Sequence, residues 1–271
     1  MTKHTSYENN PFYIGLHGLQ LLFNRAQSVG IYAAILAGIS LLLNTASNII
    51  DAIDQINTHD STITTVSTTP NEVNGAILIA VLVVAVVVVV VVMLVSALLY
   101  GVLEYTSAKL AQDKEVTLGD AFAETFKRLP GYLWVYVVML VKIFLWTLLL
   151  IVPGIIMAVR YSLAGTVYFA ENKQGNAAVK RSAELTKGAW FTTFAGTGLW
   201  NLMTFGVITW LVNPSANAVL YRQFKATTDS GSKKPSAHWL SWLTFFGPIA
   251  IFVLFFGLAL LVALMVWLAA R

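Results

Sequence analysis

Cysteine is absent from this 271-residue sequence, which excludes disulfides and thiolate metal sites and leaves the redox compartment unmarked. Charge is scarce. Only 11% of residues are Asp, Glu, Lys or Arg, against 57% hydrophobic, where a soluble domain is nearer a quarter charged. No soluble core hides that much apolar surface, so lipid must be the solvent for most of it. The histidines are four, His4, His17, His59 and His238, and their scatter gives no ligand spacing; no metal and no cofactor is expected. The net charge of +4 is too small for the dense basic face of a nucleic-acid-binding protein and suits basic loops against an anionic leaflet. The N-terminus has no short apolar region ending in a small-residue cleavage site, so the first apolar stretch is expected to be retained.

What is present is a series of apolar runs. A span needs about 20 mostly apolar residues to cross roughly 30 Å of hydrocarbon. Ser28–Ile50 and Gly75–Val102 qualify, the second holding "VLVVAVVVVVVVMLV". That valine run would be a strand in water, but a lone strand in lipid leaves its backbone unpaired, which predicts a helix. Gly131–Val152 is a third span, Pro153-Gly154 breaks it, and Ile155–Ala170 returns as a fourth. Leu243–Val266 is the last, with Trp239 and Trp242 before it and Trp267 after it at the two interfaces.

Lysine and arginine set the orientation. The stretch 51–74 contains neither and carries Asp51, Asp54, Asp60 and Glu72, so it belongs outside. The stretches 104–130 and 171–188, with Lys109, Lys114, Lys127, Arg128, Lys173, Lys180, Arg181 and Lys187, belong inside. So do Arg222, Lys225, Lys233 and Lys234. Keeping that last group inside requires residues 190–225 to form a hairpin, out from Trp190 to about Phe205 and back from about Val207, with Asn213-Pro214 interrupting the return arm. The competing arrangement is one span followed by an interfacial helix. Short, broken helices at membrane depth need burial against protein.

Three segments preceding spans resemble one another: "LHGLQLLFNRAQSVGIY" (16–32), "LGDAFAETFKRLPGYLW" (118–134) and "NAAVKRSAELTKGAWF" (176–191). Each is amphipathic, turns basic and meets an aromatic residue, as a helix lying in the membrane plane does. Thr117, three residues before Asp120, resembles a capping box. In the third segment the polar stripe is Lys180, Glu184 and Lys187, with Glu184 placed to meet both lysines. Ala178, Ser182 and Leu185 form the opposite stripe. Gly188 suits the left-handed position past a helix end, Lys187 the negative dipole end, and Trp190 the interface.

The run "PGIIMAVRYSLAGTVYFAENKQGNAAVKRSAELTKGAW" resembles the signature of a family of uncharacterised bacterial and archaeal integral membrane proteins. That family includes the membrane domain attached to some glycerophosphodiester phosphodiesterases. The residues that carry the resemblance are Pro153, Gly154, Glu171, Arg181, Ser182, Leu185, Thr186 and Gly188, and "VTLGDAFAETFKRLPGYLW" before them also fits. Thr166 departs from the pattern, where relatives often have proline. The resemblance covers roughly residues 95–191 and implies a membrane-embedded helical bundle. The chain has no soluble length for a phosphodiesterase domain, so that activity does not carry over.

Two charges fall inside spans. At ~1.5 Å per residue, Lys142 lies about 16 Å and Arg160 about 10 Å from the outer end. An intramembrane charge is costly and marks a candidate function. One reading is a basic cavity that takes an anion or a lipid phosphate. The other is snorkelling, with pairing to backbone carbonyls or to Glu104 or Glu171 at span ends. No nucleophile elbow, phosphate loop or metal spacing occurs, and no enzyme is expected.

The expected fold is an all-α, polytopic transmembrane helical bundle of six or seven spans with short cytoplasmic-side interfacial amphipathic helices. Residues 1–27 form an N-terminal tail and interfacial helix. Residues 28–235 form the bundle, with interfacial helices near 117–129 and 176–188, and 236–271 hold the C-terminal transmembrane helix. The candidate binding residues are Lys142, Arg160, Glu171, Arg181 and Ser182, and the structural motif is Pro153, Gly154, Leu185, Gly188 and Trp190. The expected role is a non-enzymatic, multi-pass protein of a prokaryotic inner or plasma membrane, N-terminus cytoplasmic. It would serve as an envelope scaffold or a lipid- or partner-binding protein. The alternative is a transporter or channel for a lipid or small anion. Expected partners are membrane lipids and a membrane-protein partner or second copy, with no nucleic acid.

Overall fold

The structure, a computed structural model, describes residues 7–24, 75–204 and 208–269, with isolated positions 30, 31, 33, 37, 38, 40, 44 and 206. The expected first span Ser28–Ile50 and the acidic loop 51–74 lie outside the described residues apart from those positions. Among the described residues every regular element is an α-helix: α1 Pro11–Phe23, α2 Gly75–Leu110, α3 Leu118–Leu149, α4 Ile151–Tyr161, α5 Ala164–Glu171, α6 Gly175–Leu185, α7 Trp190–Met203, α8 Thr209–Asp229 and α9 Ser241–Ala269. Among the described residues, four stretches are long and apolar enough to cross a membrane: Val86–Leu110, Leu118–Leu149, Ile151–Glu171 and Ser241–Leu268. The chain divides into two compact units, residues 30–100 and residues 1–29 with 101–271.

In the first unit the valine run is helical, as the need to satisfy every backbone group within one segment dictates. Val86, Val87, Val89 and Val91 each keep about half their surface exposed.

In the second unit, starts and stops follow local chemistry. Asn10 caps α1 by accepting from Phe12 N at 3.0 Å, with Pro11 at the first helical position. Thr117 caps α3, accepting from Asp120 N at 3.2 Å and donating to Asp120 Oδ2 at 2.7 Å. α3 then runs straight through Pro130, so the segment expected as a separate interfacial helix near 117–129 is the first part of one 32-residue helix. A proline removes one backbone bond, which a helix packed on its neighbours tolerates. Here Gly131 admits Tyr168, whose hydroxyl donates to Arg128 O at 2.8 Å.

The turn after α3 also falls earlier than expected. Leu150 is extended (φ −162°, ψ 141°) and α4 starts at Ile151, so Pro153-Gly154 lies within α4 and breaks nothing. Pro153 is the third helical residue, where an N–H has no intrahelical acceptor to lose. Gly154 brings α4 against α3: a Cβ there would sit 2.2 Å from Thr147 Oγ1.

Residues 190–229 form a helical hairpin, α7 packed on α8, closed through Gly206 (φ +78°), whose N donates to Asn201 O at 2.8 Å. Pro214 lies inside α8 and does not interrupt it. α8 is the interior of this unit: Val212, Ala216, Leu220 and Phe224 are fully buried, packed by α1, α5, α6 and α7. α1 docks against the hairpin through small residues. A Cβ on Gly18 would meet the Ser215 backbone at 2.7 Å, and Phe12 O accepts from Trp200 Nε1 at 3.0 Å. α9 packs on α7 through Thr244 against Gly198 and Gly247 against Leu202.

Candidate functional site

The expected fourth span is two helices. Between α4 and α5, Ser162 N bonds Val159 O at 3.3 Å, one residue short of α-helical spacing. A break of this kind leaves backbone groups without helical partners, and in an apolar interior each must find another. α6 supplies them. Ser182 Oγ accepts from Leu163 N at 3.1 Å and donates to Arg160 O at 2.8 Å. Thr186 Oγ1 also reaches Arg160 O, at 3.1 Å, and Asn217 Nδ2 of α8 reaches Ser162 O at 3.4 Å. One serine hydroxyl therefore bridges a donor and an acceptor that the break exposes.

α6 fits this place because its sequence has the predicted faces. Ala178, Ser182 and Leu185 are fully buried, as is Val179. Gly175 (φ +46°) lies against the Trp134 ring, and Gly188 (φ +79°) adopts the left-handed conformation expected past the helix end. The polar stripe behaves differently from its spacing. Glu184 pairs with Arg181, Nη1 to Oε2 at 3.7 Å, and not with Lys180 and Lys187. The cation at the helix end is Lys234, whose Nζ donates to Leu185 O and, at 3.0 Å, to Lys187 O. Burial, with Arg181 nearby, brings the Lys234 ammonium down to about 8.

The five candidate residues converge on this helix. Lys142 Nζ donates to Asn176 Oδ1 and lies 5.9 Å from the centre of the Tyr161 ring. Arg160 Nη2 donates to Ala183 O at 3.2 Å, while its Nε is buried without a partner. Arg181 Nε donates to Glu171 Oε2 at 3.2 Å and Nη2 to Asp229 Oδ1 at 3.1 Å. Glu171 also accepts from Tyr221 OH at 3.1 Å and pairs with Lys173 at 3.4 Å. Burial alone would lower the Arg181 guanidinium, but the Asp229 and Glu171 carboxylates carry it above its usual range.

Glu104 was an expected partner for Lys142 or Arg160. It accepts instead from Tyr132 OH at 2.8 Å and Tyr136 OH at 3.1 Å. Asp229, Asn217 and Asn176 were not singled out from sequence, and Lys234 only as a loop cation. Their partners lie 34 to 55 residues away, and no local periodicity encodes such pairs.

A second feature is a groove of about 390 Å³ between α7 and α9, lined by Asn201, Leu202, Pro248, Ile251, Phe252 and Phe255. Its walls are apolar except for Asn201, whose Nδ2 reaches Asn213 Oδ1 at 3.3 Å and whose Oδ1 has no partner.

No family model matches the chain, and neither a curated protein nor a solved structure matches it. The residues that carry the resemblance noted in the sequence lie on α4, on α6 and at the end of α5, or close the turn after α6.

Proposed function

We propose that this chain is a non-enzymatic integral membrane protein of a prokaryotic cell membrane that binds lipid, taking an acyl chain into the groove between α7 and α9. Its membership of the resembled family belongs to the same proposal. So does a count of seven spans: the four membrane-length helices, Ser28–Ile50 and the two arms of the α7–α8 hairpin, with the N-terminus cytoplasmic.

The observation that carries the lipid reading is the groove. It is an open cleft of about 390 Å³ with an apolar lining, and Asn201 on its α7 side keeps a buried amide oxygen without a partner. An acyl chain matches the apolar walls. The transporter reading needs cations available to an anion. Lys142 and Arg160 are instead engaged by Asn176 and the Ala183 carbonyl, which supports snorkelling and backbone pairing over an anion cavity.

The test is purification in lipid-retaining particles followed by mass spectrometry of bound lipid. Wild type retains lipid through washing, and Ile251→Trp, which fills the groove, lowers retained lipid per protein at least several-fold. Equal retention by the two would overturn the groove as the site.

A further inference from the structure

Glu104 has no role in that reading, and its surroundings require a different explanation. It lies in the membrane-length part of α2 and is 1% exposed. An ionised carboxylate at such a position is costly unless its oxygens are satisfied. Both phenols, Tyr132 and Tyr136, donate to Oε2, and Oε1 has no partner. The fold makes room for the group. A Cβ on Gly165 of α5 would sit 1.9 Å from Oε2 and 2.6 Å from Oε1, so only glycine lets the carboxyl lie against that helix.

Thr125 of α3 turns its methyl toward Gly101, one turn before Glu104 on α2, and Thr166 follows Gly165 on α5; both hydroxyls are buried without partners. The basic groups on the packed helices are directed elsewhere. Lys109 of α2 lies over the Tyr105 ring at 5.2 Å, and Arg128 of α3 lies over Tyr168 at 4.7 Å while bonding Asn172. Glu171 of α5 is engaged by Arg181.

We propose that Glu104 is the carboxylate of a buried site for one exchangeable monovalent cation, a proton or an alkali ion, set between α2, α3 and α5. One formal negative charge held by two phenols balances a single positive charge, whereas divalent ions take several carboxylates or keep their waters. As a carboxylic acid the group would use Oε2 as the carbonyl-type acceptor of both phenols and carry its proton on Oε1. With an alkali ion the same oxygens would be ligands. The groove between α7 and α9 plays no part in this site, so either assignment can fail alone.

The experiment is infrared difference spectroscopy of the full chain in vesicles, wild type against Glu104→Gln, at neutral pH in sodium-free choline buffer and then with sodium. A protonated-carboxyl band present in wild type and lost in Glu104→Gln is expected without sodium. Its disappearance on adding sodium and return on removal would assign an alkali ion that exchanges with the proton. A band that ignores sodium but shifts in heavy water and is lost as pH is raised would assign an exchangeable proton, and one that does none of these would overturn the proposal. No Glu104-dependent band and no sodium-dependent change would overturn the proposal and leave a permanently ionised, structural carboxylate. If Glu104→Gln does not fold, Tyr132→Phe with Tyr136→Phe keeps the carboxyl and removes both donors. A shifted carboxyl band is then expected, and an absent or unmoved one counts against the site.

Discussion

α8 and α9 invert the usual relation between apolarity and burial. α9 is the greasier helix, yet it buries only Ser241, Thr244 and Gly247, and every described residue from Pro248 to Leu268 is exposed. α8 carries Asn213, Pro214, Ser215, Asn217, Tyr221 and Arg222, yet most of Val212 to Phe224 is buried. In water this would be a fold turned inside out. In lipid it is expected: the surroundings are as apolar as leucine, so burial follows small residues that allow close approach and polar residues that need a partner. The same rule places Gly18 against the Ser215 backbone and Gly165 against Glu104.

The largest expected effect breaks α8's packing directly. Gly18→Leu would drive side-chain atoms into the backbone at Ser215 and Ala216, which cannot rotate away as a side chain can. A cost of ~3 kcal/mol or more is expected, read as loss of the monodisperse species on size exclusion. Arg181→Glu comes next. It sets a third acid beside Glu171 and Asp229, breaking pairs to an arginine whose side chain is only 16% exposed. With Asp229 half exposed, the expected loss is about 2–3 kcal/mol, below that of a fully buried pair, and unchanged thermal stability would make Arg181 a solvated charge.

Ser182→Ala leaves Leu163 N without its partner, while Thr186 still serves Arg160 O. About 1–2 kcal/mol of destabilisation is expected, measured by tryptophan-monitored melting. A smaller effect concerns Lys234. It ionises at about 8 in the fold against 10.5 for an ordinary lysine, so between those values the unfolded chain holds the extra proton and stability rises with pH. Melting temperature should rise across that window in wild type and rise less in Lys234→Gln. The smallest change is on α9: Leu258→Ala, at a residue 55% exposed, should alter stability by no more than about 0.5 kcal/mol.

The helices themselves were legible because apolar runs and their turn residues are local signals. The valine run, the capping pair Thr117 and Asp120, the buried stripe of α6 and the left-handed Gly188 all stand where the sequence puts them. A hairpin was expected over 190–225 from an argument that kept the basic loop around Lys233 on one side, and two packed helices, α7 and α8, stand there. What was not legible depends on contacts. The break at Ser162–Leu163 carries no proline or glycine signal, since Ser182 and Asn217 stabilise it from 19 and 55 residues away. Pro153-Gly154 and Pro214 were expected to interrupt, and both lie within helices, α4 and α8. Glu104 was read as a span-end partner for a cation, because nothing local shows that Tyr132, Tyr136 and Gly165 enclose it.

The comparison of α8 with α9 is tested most directly by carbene photolabelling from an apolar probe dissolved in vesicles that hold the full chain, followed by peptide mass spectrometry. Peptides covering 249–268 should be labelled along their whole length, and residues 216–221 should stay unlabelled. Labelling of 216–221 at the level of α9 would place α8 in lipid and contradict the account.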